Sequence, residues 1–210
     1  MRSFPFRSIR PFFASLLAAA AVAACSDSTA PPTPRPQNEL RIVTLAPDAP
    51  PLLANSVTFN ACKGTNAEGR LFFAGIGGTE GEEFARLKLD NETLLARPDG
   101  TPIADGECVA VTMGLADPLS KQLLLQLEPS GLKFDPAHPA ELRLDYGEAD
   151  LDLNDDGNVN ASDAQIEQQL SIWRQETPGD PFVQLPTTRS VSGRTGTSLI
   201  TGFTRYAYAF

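Results

Sequence analysis

Apolar and polar side chains alternate along Phe84-Ala85-Arg86-Leu87-Lys88-Leu89, and the same two-residue period returns along Cys108-Val109-Ala110-Val111-Thr112-Met113. This period places alternate side chains on opposite faces of a β-strand. Turn residues such as Pro98-Asp99-Gly100 and Pro129-Ser130-Gly131 separate the strand-like segments. Short strands with such punctuation predict an all-β antiparallel sandwich with at most one short helix. Further strand-like segments occupy residues 40–45, 57–60, 71–74, 123–127 and 142–146.

The composition is that of a globular chain. The 210 residues are 41% hydrophobic and 20% charged, and no shift in composition divides residues 39–210, so we expect one domain there. The net charge of -9 argues against a nucleic-acid partner, whose phosphates require clustered Lys and Arg. The single histidine, His138, stands in the turn Asp135-Pro136-Ala137-His138-Pro139, where a solvated side chain is expected. We therefore predict no catalysis.

The first 24 residues have the pattern of a secretory signal. A basic start with Arg2, Arg7 and Arg10 precedes an apolar stretch over residues 12–24, which is too short to span a membrane as a mature helix. Small residues directly before Cys25 resemble the bacterial lipoprotein signal, which implies a lipidated Cys25 and stable membrane anchoring. Ser26 after the cysteine favours the outer membrane, on its periplasmic face or at the cell surface. An ordinary signal peptide with a nearby cysteine is the alternative.

Residues 25–38 are predicted to connect this anchor to the domain. Four prolines at positions 31, 32, 34 and 36, with no large apolar residue, are typical of an extended tether without a fold of its own. Residues 39–210 then form the sandwich domain. Lipidation of Cys25 leaves Cys62 and Cys108, which we expect to pair because export places them in an oxidising compartment. Two buried free thiols are the alternative.

Two motifs in the second half resemble a known family. Residues 129–134 and 139–146 follow a "P-x-G-x-x-F … P-x-x-L-x-x-x-Y" pattern. This pattern is similar to the β-sandwich domain shared by zonula occludens proteins, netrin receptors and ankyrins, and to its bacterial relatives, and the similarity covers residues 85–210 with gaps. It implies a protein-interaction or structural module whose closing strand lies within residues 199–210. Some members cleave themselves at His-Phe-Ser. Gly202-Phe203-Thr204 lacks the histidine, so no self-cleavage is expected.

One stretch, residues 152–163, has the spacing of a calcium-binding loop and is called the acidic loop below. Hard cations take six to eight oxygen ligands, and alternate residues of a tight turn can point them inward. Gly157 stands at position six, where the backbone must turn sharply, and Val159 at position eight would anchor the loop. Asp155, at position four, is expected to point to solvent. The predicted Ca²⁺ ligands are Asp152, Asn154, Asp156, Asn158 through its carbonyl, Asn160 and Asp163.

The acidic loop departs from the calmodulin-type pattern, because position twelve is Asp163 and the next residue is Ala164. Both features resemble the dockerin-type loop. Dockerins carry two such loops, and this chain shows one. We expect a short helix over residues 162–169 with Ser162 as its N-cap, then a strand near 170–174 that pairs with 182–185. The loop is thus inserted between two strands of the sandwich. An acidic turn that binds no ion is the alternative.

These observations favour a lipid-anchored envelope protein that binds or scaffolds an unidentified protein or surface polymer, with calcium as a structural ion and no enzymatic activity. A dockerin-like, calcium-dependent docking module is the first alternative, and an envelope hydrolase is the second. Trp173 is expected to pack in the core or between the sheets, and a platform for a sugar is the alternative. Residues 75–78 are expected in a turn, and the acids of residues 80–83 in a solvated loop.

Overall fold

The computed structural model describes residues 33–210, which form two large antiparallel sheets and one short helix, α1 (Ala161–Glu167). The predicted all-β class is confirmed. The strands are β1 (Ser56–Cys62), β2 (Ala67–Ala74), β3 (Glu80–Leu89), β4 (Leu94–Ala96), β5 (Cys108–Leu115), β6 (Leu124–Glu128), β7 (Lys133–Phe134), β8 (Ala140–Asp145), β9 (Ser171–Gln175), β10 (Val183–Gln184), β11 (Thr188–Ser190), β12 (Thr195–Ile200) and β13 (Arg205–Ala209).

The six-stranded sheet has the order β1-β5-β6-β13-β9-β10, and the five-stranded sheet has the order β11-β12-β8-β3-β2. Strands β4 and β7 form a separate pair. The chain moves between the two large sheets several times, for example from β8 to β9 and from β12 to β13. Segments distant in sequence therefore become neighbours, and the acidic loop lies in the β8–β9 crossover.

The core lies between the sheets and follows the alternation seen in the sequence. In β8, Leu142 and Leu144 are fully buried, whereas the charged Glu141 and Arg143 face outward. Burying one such leucine stabilises the fold by about 1.5–3 kcal/mol. The aromatic positions of the family-like motifs also belong to the core: Phe134 packs edge-on against Phe203 with 5.0 Å between ring centroids.

The predicted disulfide is confirmed. Cys62 and Cys108 are direct partners in the β1–β5 register, and a disulfide joins them with 3.9 Å between their Cα atoms. The bridge closes a loop with a sequence separation of 46. On the chain-entropy model this closure stabilises the fold by about 4 kcal/mol.

The connections between strands gather at two opposite ends of the sandwich. At one end, Leu45 bridges Ala149, the N–H of Ala74 donates to Pro51, and the N–H of Leu115 donates to Asn55. We call this the loop end; it contains residues 46–55, 75–79, 116–123, 146–170 and 191–194. The opposite end contains residues 63–66, 90–107, 129–139, 176–182 and 201–204. We call it the tether end, because Arg35 pairs there with Phe182.

The predicted independent tether is wrong for its last residues. Arg35 exchanges backbone hydrogen bonds with Phe182, and Gln37–Glu39 forms a 3-10 turn. Residues 40–45, expected to be strand-like, make only isolated bridges, such as Ile42 with Ala209. Leu40 belongs to an apolar cluster with Trp173 and Phe182 on the outer side of the six-stranded sheet, whereas Val43 is buried in the core between the sheets. The predicted signal peptide, Cys25 and the first part of the tether lie outside the described residues.

Two further expectations are corrected. The acids of residues 80–83 belong to β3 and not to a solvated loop, because Glu83 pairs with Arg70 of β2 at 3.4 Å and Arg143 of β8 at 3.8 Å. The closing stretch is two strands, β12 and β13, which lie in different sheets. No helix within residues 33–210 is long and apolar enough to cross a membrane.

Candidate functional site

The backbone of the acidic loop makes the sharp turn that its sequence predicts. Gly157, at position six, has a φ of +83°, in the left-handed region that favours glycine. Asp155, at position four, also has a positive φ, of +57°. A methyl group at Gly157 would meet no atom within 4 Å, so the backbone conformation and not crowding requires glycine there.

Backbone N–H groups orient the side chains of the first half of the loop. Asp152 accepts hydrogen bonds from the N–H groups of Asp156 at 3.0 Å and Gly157 at 2.7 Å. Asn154 accepts from the N–H of Asp156 at 2.9 Å. The backbone N–H of Asn158 donates to Asp156 at 2.9 Å and lowers the pKa of that carboxyl. Each oxygen has a further lone pair for a ligand.

Asp163 ties the end of the loop to its beginning. It is 2% exposed, and its carboxylate accepts from the N–H of Asn154 at 3.2 Å and the N–H of Asn160 at 2.9 Å. The second bond is half of a capping box at the start of α1, in which Asn160 is the N-cap. The prediction of Ser162 as N-cap is therefore wrong: Ser162 donates its N–H to the side chain of Asn160 at 2.8 Å.

The donor set fits a hard cation. It consists of three carboxylates, two side-chain amides and the backbone carbonyl of Asn158, and the loop itself contains no basic residue. The amides of Asn154 and Asn160 donate their N–H groups within the loop, to Asp156 at 3.1 Å and to the carbonyl of Asn158 at 3.0 Å. Within residues 33–210, no three Asp, Glu, His or Cys side chains form a group that could hold a metal ion. The structure thus brings the predicted ligands into one hydrogen-bonded loop without drawing the three carboxylates together.

The loop also contacts the segment that leads into the domain. Asp155 is exposed, as predicted, and forms an ion pair with Arg41. A cleft of about 280 Å³ separates residues 40–44 from the loop, and Asp150 and Asp152 contribute to its wall. This link between Arg41 and the loop was not apparent from the sequence, because 114 residues separate its partners.

Other candidate residues have structural environments. His138 is exposed and its Nε2 lies 2.7 Å from Glu92. Trp173 is buried, as expected, but in the apolar cluster on the outer side of the six-stranded sheet and not in the core between the sheets. Its indole N–H donates to the carbonyl of Ala209 at 3.1 Å. Thr204, which stands where the His-Phe-Ser motif has its serine, is buried, and its hydroxyl bonds the carbonyls of Gln175 and Glu176.

The loop end carries exposed aliphatic side chains that sequence reasoning missed. Ile76 is 98% exposed in the β2–β3 turn, and Leu119 is 94% exposed in the β5–β6 connection. Of the seven exposed large hydrophobic residues in the described part of the chain, five belong to the loop end: Leu53, Ile76, Leu119, Val159 and Val191. The prediction that Val159 anchors the acidic loop is therefore wrong, because its side chain is 65% exposed. A single apolar residue among turn residues, as in Gly75-Ile76-Gly77-Gly78, is a signal that could have indicated them.

A partly apolar groove of about 430 Å³ also opens at this end. It lies between residues 46–55 and the β5–β6 connection, where Leu119 is exposed. Prolines and leucines form much of its walls: Pro50, Pro51, Leu52, Leu115 and Pro118. The acidic loop, the exposed aliphatic side chains and this groove therefore share one end of the sandwich.

Comparison with known proteins adds no relative: no protein-family model, no curated protein and no solved structure matches this chain. The similarity of residues 85–210 to the zonula occludens, netrin receptor and ankyrin domain therefore rests on the quoted motifs. The antiparallel sandwich is the part of that expectation that the structure confirms.

Proposed function

We propose that this protein is a lipid-anchored, non-catalytic binding protein of the cell envelope, which engages a partner through the loop end and holds calcium in the acidic loop as a structural ion. The observation that carries this proposal is the concentration of exposed aliphatic side chains at the loop end. Exposed apolar groups that gather in one region of a soluble domain are typical of an interaction surface.

The energetics support a binding role for these residues. Burying one leucine- or isoleucine-sized side chain on association contributes about 1.5–3 kcal/mol before the costs of association are subtracted. Ile76 and Leu119 have almost their whole side chains available for this. They stand in turns, where the backbone does not require an apolar residue, so local folding gives no reason for them.

Calcium would order the crossover that carries the acidic loop. Its ligands would be Asp152, Asn154, Asp156, the carbonyl of Asn158, Asn160 and Asp163, and the ion would supply only positive charge and coordination. Six acids lie between positions 148 and 163 with no base among them, so their mutual repulsion favours a cation: Glu148, Asp150, Asp152, Asp155, Asp156 and Asp163. To act as ligands, Asn154 and Asn160 would turn their amide oxygens toward the ion, and their N–H groups would give up the hydrogen bonds that they make within the loop.

The anchor supports the same orientation. A lipidated Cys25 would join the domain through the segment that packs at the tether end, where Arg35 pairs with Phe182. The loop end lies at the opposite end of the sandwich and would stay free for a partner.

The test is enrichment of envelope proteins or polymers on immobilised full-length protein, with wild type compared to the double variant Ile76→Ser plus Leu119→Ser. Leu199→Ser is the matched control, because Leu199 is 62% exposed but lies in β12, outside the loop end. We expect specific enrichment with the wild type and the control, and its loss with the double variant. Equal enrichment on all three proteins, or equal loss with Leu199→Ser, would remove the loop end as the binding surface.

A further inference from the structure

A second concave site lies on the outer side of the six-stranded sheet, away from the loop-end groove. It is a cavity of about 270 Å³ next to β9 and β10. This volume is slightly below the usual range for pockets that take drug-sized ligands, so it suits a smaller molecule. We call it the arginine pocket, and its lining residues are Arg35, Gln169, Trp173, Gln184, Arg189 and Phe210.

The arginine pocket has two charged side chains, Arg35 and Arg189, and both are cationic. Among the residues that the structure describes, neither Arg35 nor Arg189 forms an ion pair with a carboxylate. In the part of the chain that the structure describes, six of the other eight arginines have a carboxylate partner. Two guanidinium groups at one cavity, neither paired with a side-chain carboxylate, favour an anion there.

Both arginines are held in place by contacts that leave N–H donors unused. Arg189 donates one N–H to the carbonyl of Leu170 at 3.0 Å, beyond the end of α1. Arg35 lies over the indole ring of Trp173, with 5.2 Å between its Cζ atom and the ring centroid. A guanidinium has five N–H donors, so both groups can still bond an oxyanion, with the two-pronged geometry that suits carboxylate and phosphate.

The two glutamines contribute hydrogen-bond acceptors. Gln184 donates from Nε2 to the hydroxyl of Ser171 at 2.8 Å, and Gln169 donates from Nε2 to the carbonyl of Gln165 at 3.3 Å. Within residues 33–210, no donor bonds the amide oxygen of either glutamine. Amide oxygens at the rim of a cationic pocket are suited to accept hydrogen bonds from ligand hydroxyls.

We infer that the arginine pocket binds a small hydroxylated oxyanion of the size of one acidic sugar unit. The anionic group lies between Arg35 and Arg189, and Gln169 and Gln184 accept hydrogen bonds from neighbouring hydroxyls. The oxyanion can be a carboxylate, as in a uronic acid, or a phosphate, as in a sugar phosphate. Gln169 belongs to the loop end, but the pocket shares no lining residue with the loop-end groove, and the inference does not depend on the proposed function.

Trp173 provides a direct readout, because it is the one tryptophan in the chain and Arg35 covers its ring. The purified full-length protein is titrated with glucuronate, glucose 6-phosphate and neutral glucose at constant ionic strength, while tryptophan emission and binding heat are recorded. We expect a saturable response to at least one of the two anions and none to glucose. Whether glucuronate or glucose 6-phosphate binds more tightly identifies the carboxylate or the phosphate as the source.

Arg189→Gln removes one cation from the pocket, and we expect it to weaken binding by about tenfold or more, as for other hydrogen bonds to charged groups. Arg35→Gln provides the same test if the first variant misfolds, with binding heat as its readout. Arg205→Gln is the matched control, because Arg205 also lacks a carboxylate partner but lies in β13 outside the pocket lining, bonded to Gln175 at 3.1 Å. The inference is overturned if neither anion binds, if glucose binds equally well, or if the control loses as much affinity as Arg189→Gln.

Discussion

Thermal unfolding with and without calcium tests the acidic loop most directly. A ligand that binds only the folded state stabilises it by RT ln(1 + [L]/Kd). Extracellular calcium modules have dissociation constants of about 10⁻⁴ to 10⁻³ M, so about 10 mM calcium would exceed them roughly ten- to hundredfold. The resulting stabilisation is about 1.4–2.7 kcal/mol. For a domain of this size each kcal/mol raises Tm by about 2–4 °C, and we therefore expect a rise of about 3–11 °C.

The variants for this test come from the geometry of the loop. Asp152→Asn plus Asp156→Asn removes two of the three predicted carboxylate ligands, and we expect the calcium-dependent rise in Tm to disappear. Asp155→Asn is the matched control: it removes the same kind of charge from the same loop, but at position four, where the side chain contacts Arg41. Its exposed ion pair stabilises the fold by at most about 1 kcal/mol, so the calcium-dependent rise should persist.

The comparison is made within each variant, between chelator and calcium, because the two substitutions at Asp152 and Asp156 also weaken backbone hydrogen bonds in the loop. Magnesium at the same concentration should give a smaller rise, since it keeps several of its waters. An unchanged wild-type Tm in calcium would refute the site. A rise of the same size in the double variant would show that the ion binds elsewhere.

Two further predictions concern stability. Replacing both Cys62 and Cys108 by Ala should lower the free energy of unfolding by about 4 kcal/mol, because the unfolded chain is no longer cross-linked over the sequence separation of 46; urea unfolding measures it, and a loss below about 1 kcal/mol would contradict the chain-entropy argument. Asp163→Ala should lower the free energy of unfolding by about 1–2 kcal/mol even in excess chelator, because the backbone N–H groups of Asn154 and Asn160 lose their acceptor. Urea unfolding measures this too, and a loss of stability that appears only when calcium is present would mean that the capping role is negligible.

The parts of the fold that were predictable are those in which burial is decided locally. The alternation of β3, β5 and β8 follows from the need to bury one face of each strand. The structure keeps it throughout β8, over residues 108–113 of β5 and over residues 85–89 of β3. The acidic loop was also predictable in its turn at Gly157 and in the helix that follows, because both depend on residues within a few positions.

The remaining features depend on contacts between distant residues. In the sequence, the acids at the start of β3 indicate a solvated loop. They belong to a strand because the neighbouring strands place Arg70 and Arg143 beside Glu83. In the sequence, Arg35 lies in a proline-rich segment that indicates a tether. Its position over the ring of Trp173 depends on a contact between residues far apart in the chain. Spacing alone also could not show that Ile76 and Leu119, in separate turns, belong to the same end of the sandwich.

The position of the acidic loop determines how far the effect of an ion would extend. The loop joins β8 of the five-stranded sheet to β9 of the six-stranded sheet, and Asp163 connects its first turn to α1, which leads directly into β9. Arg41 connects the same loop to residues 41–45, whose backbone bonds the end of β13 and the β5–β6 connection. Fixing this crossover would therefore restrain both sheets and the segment after the tether, and not one surface turn alone. For that reason the stabilisation by calcium should appear in the global unfolding transition. A calcium effect confined to proteolysis within residues 150–163, with Tm unchanged, would show that the loop orders without restraining the sandwich.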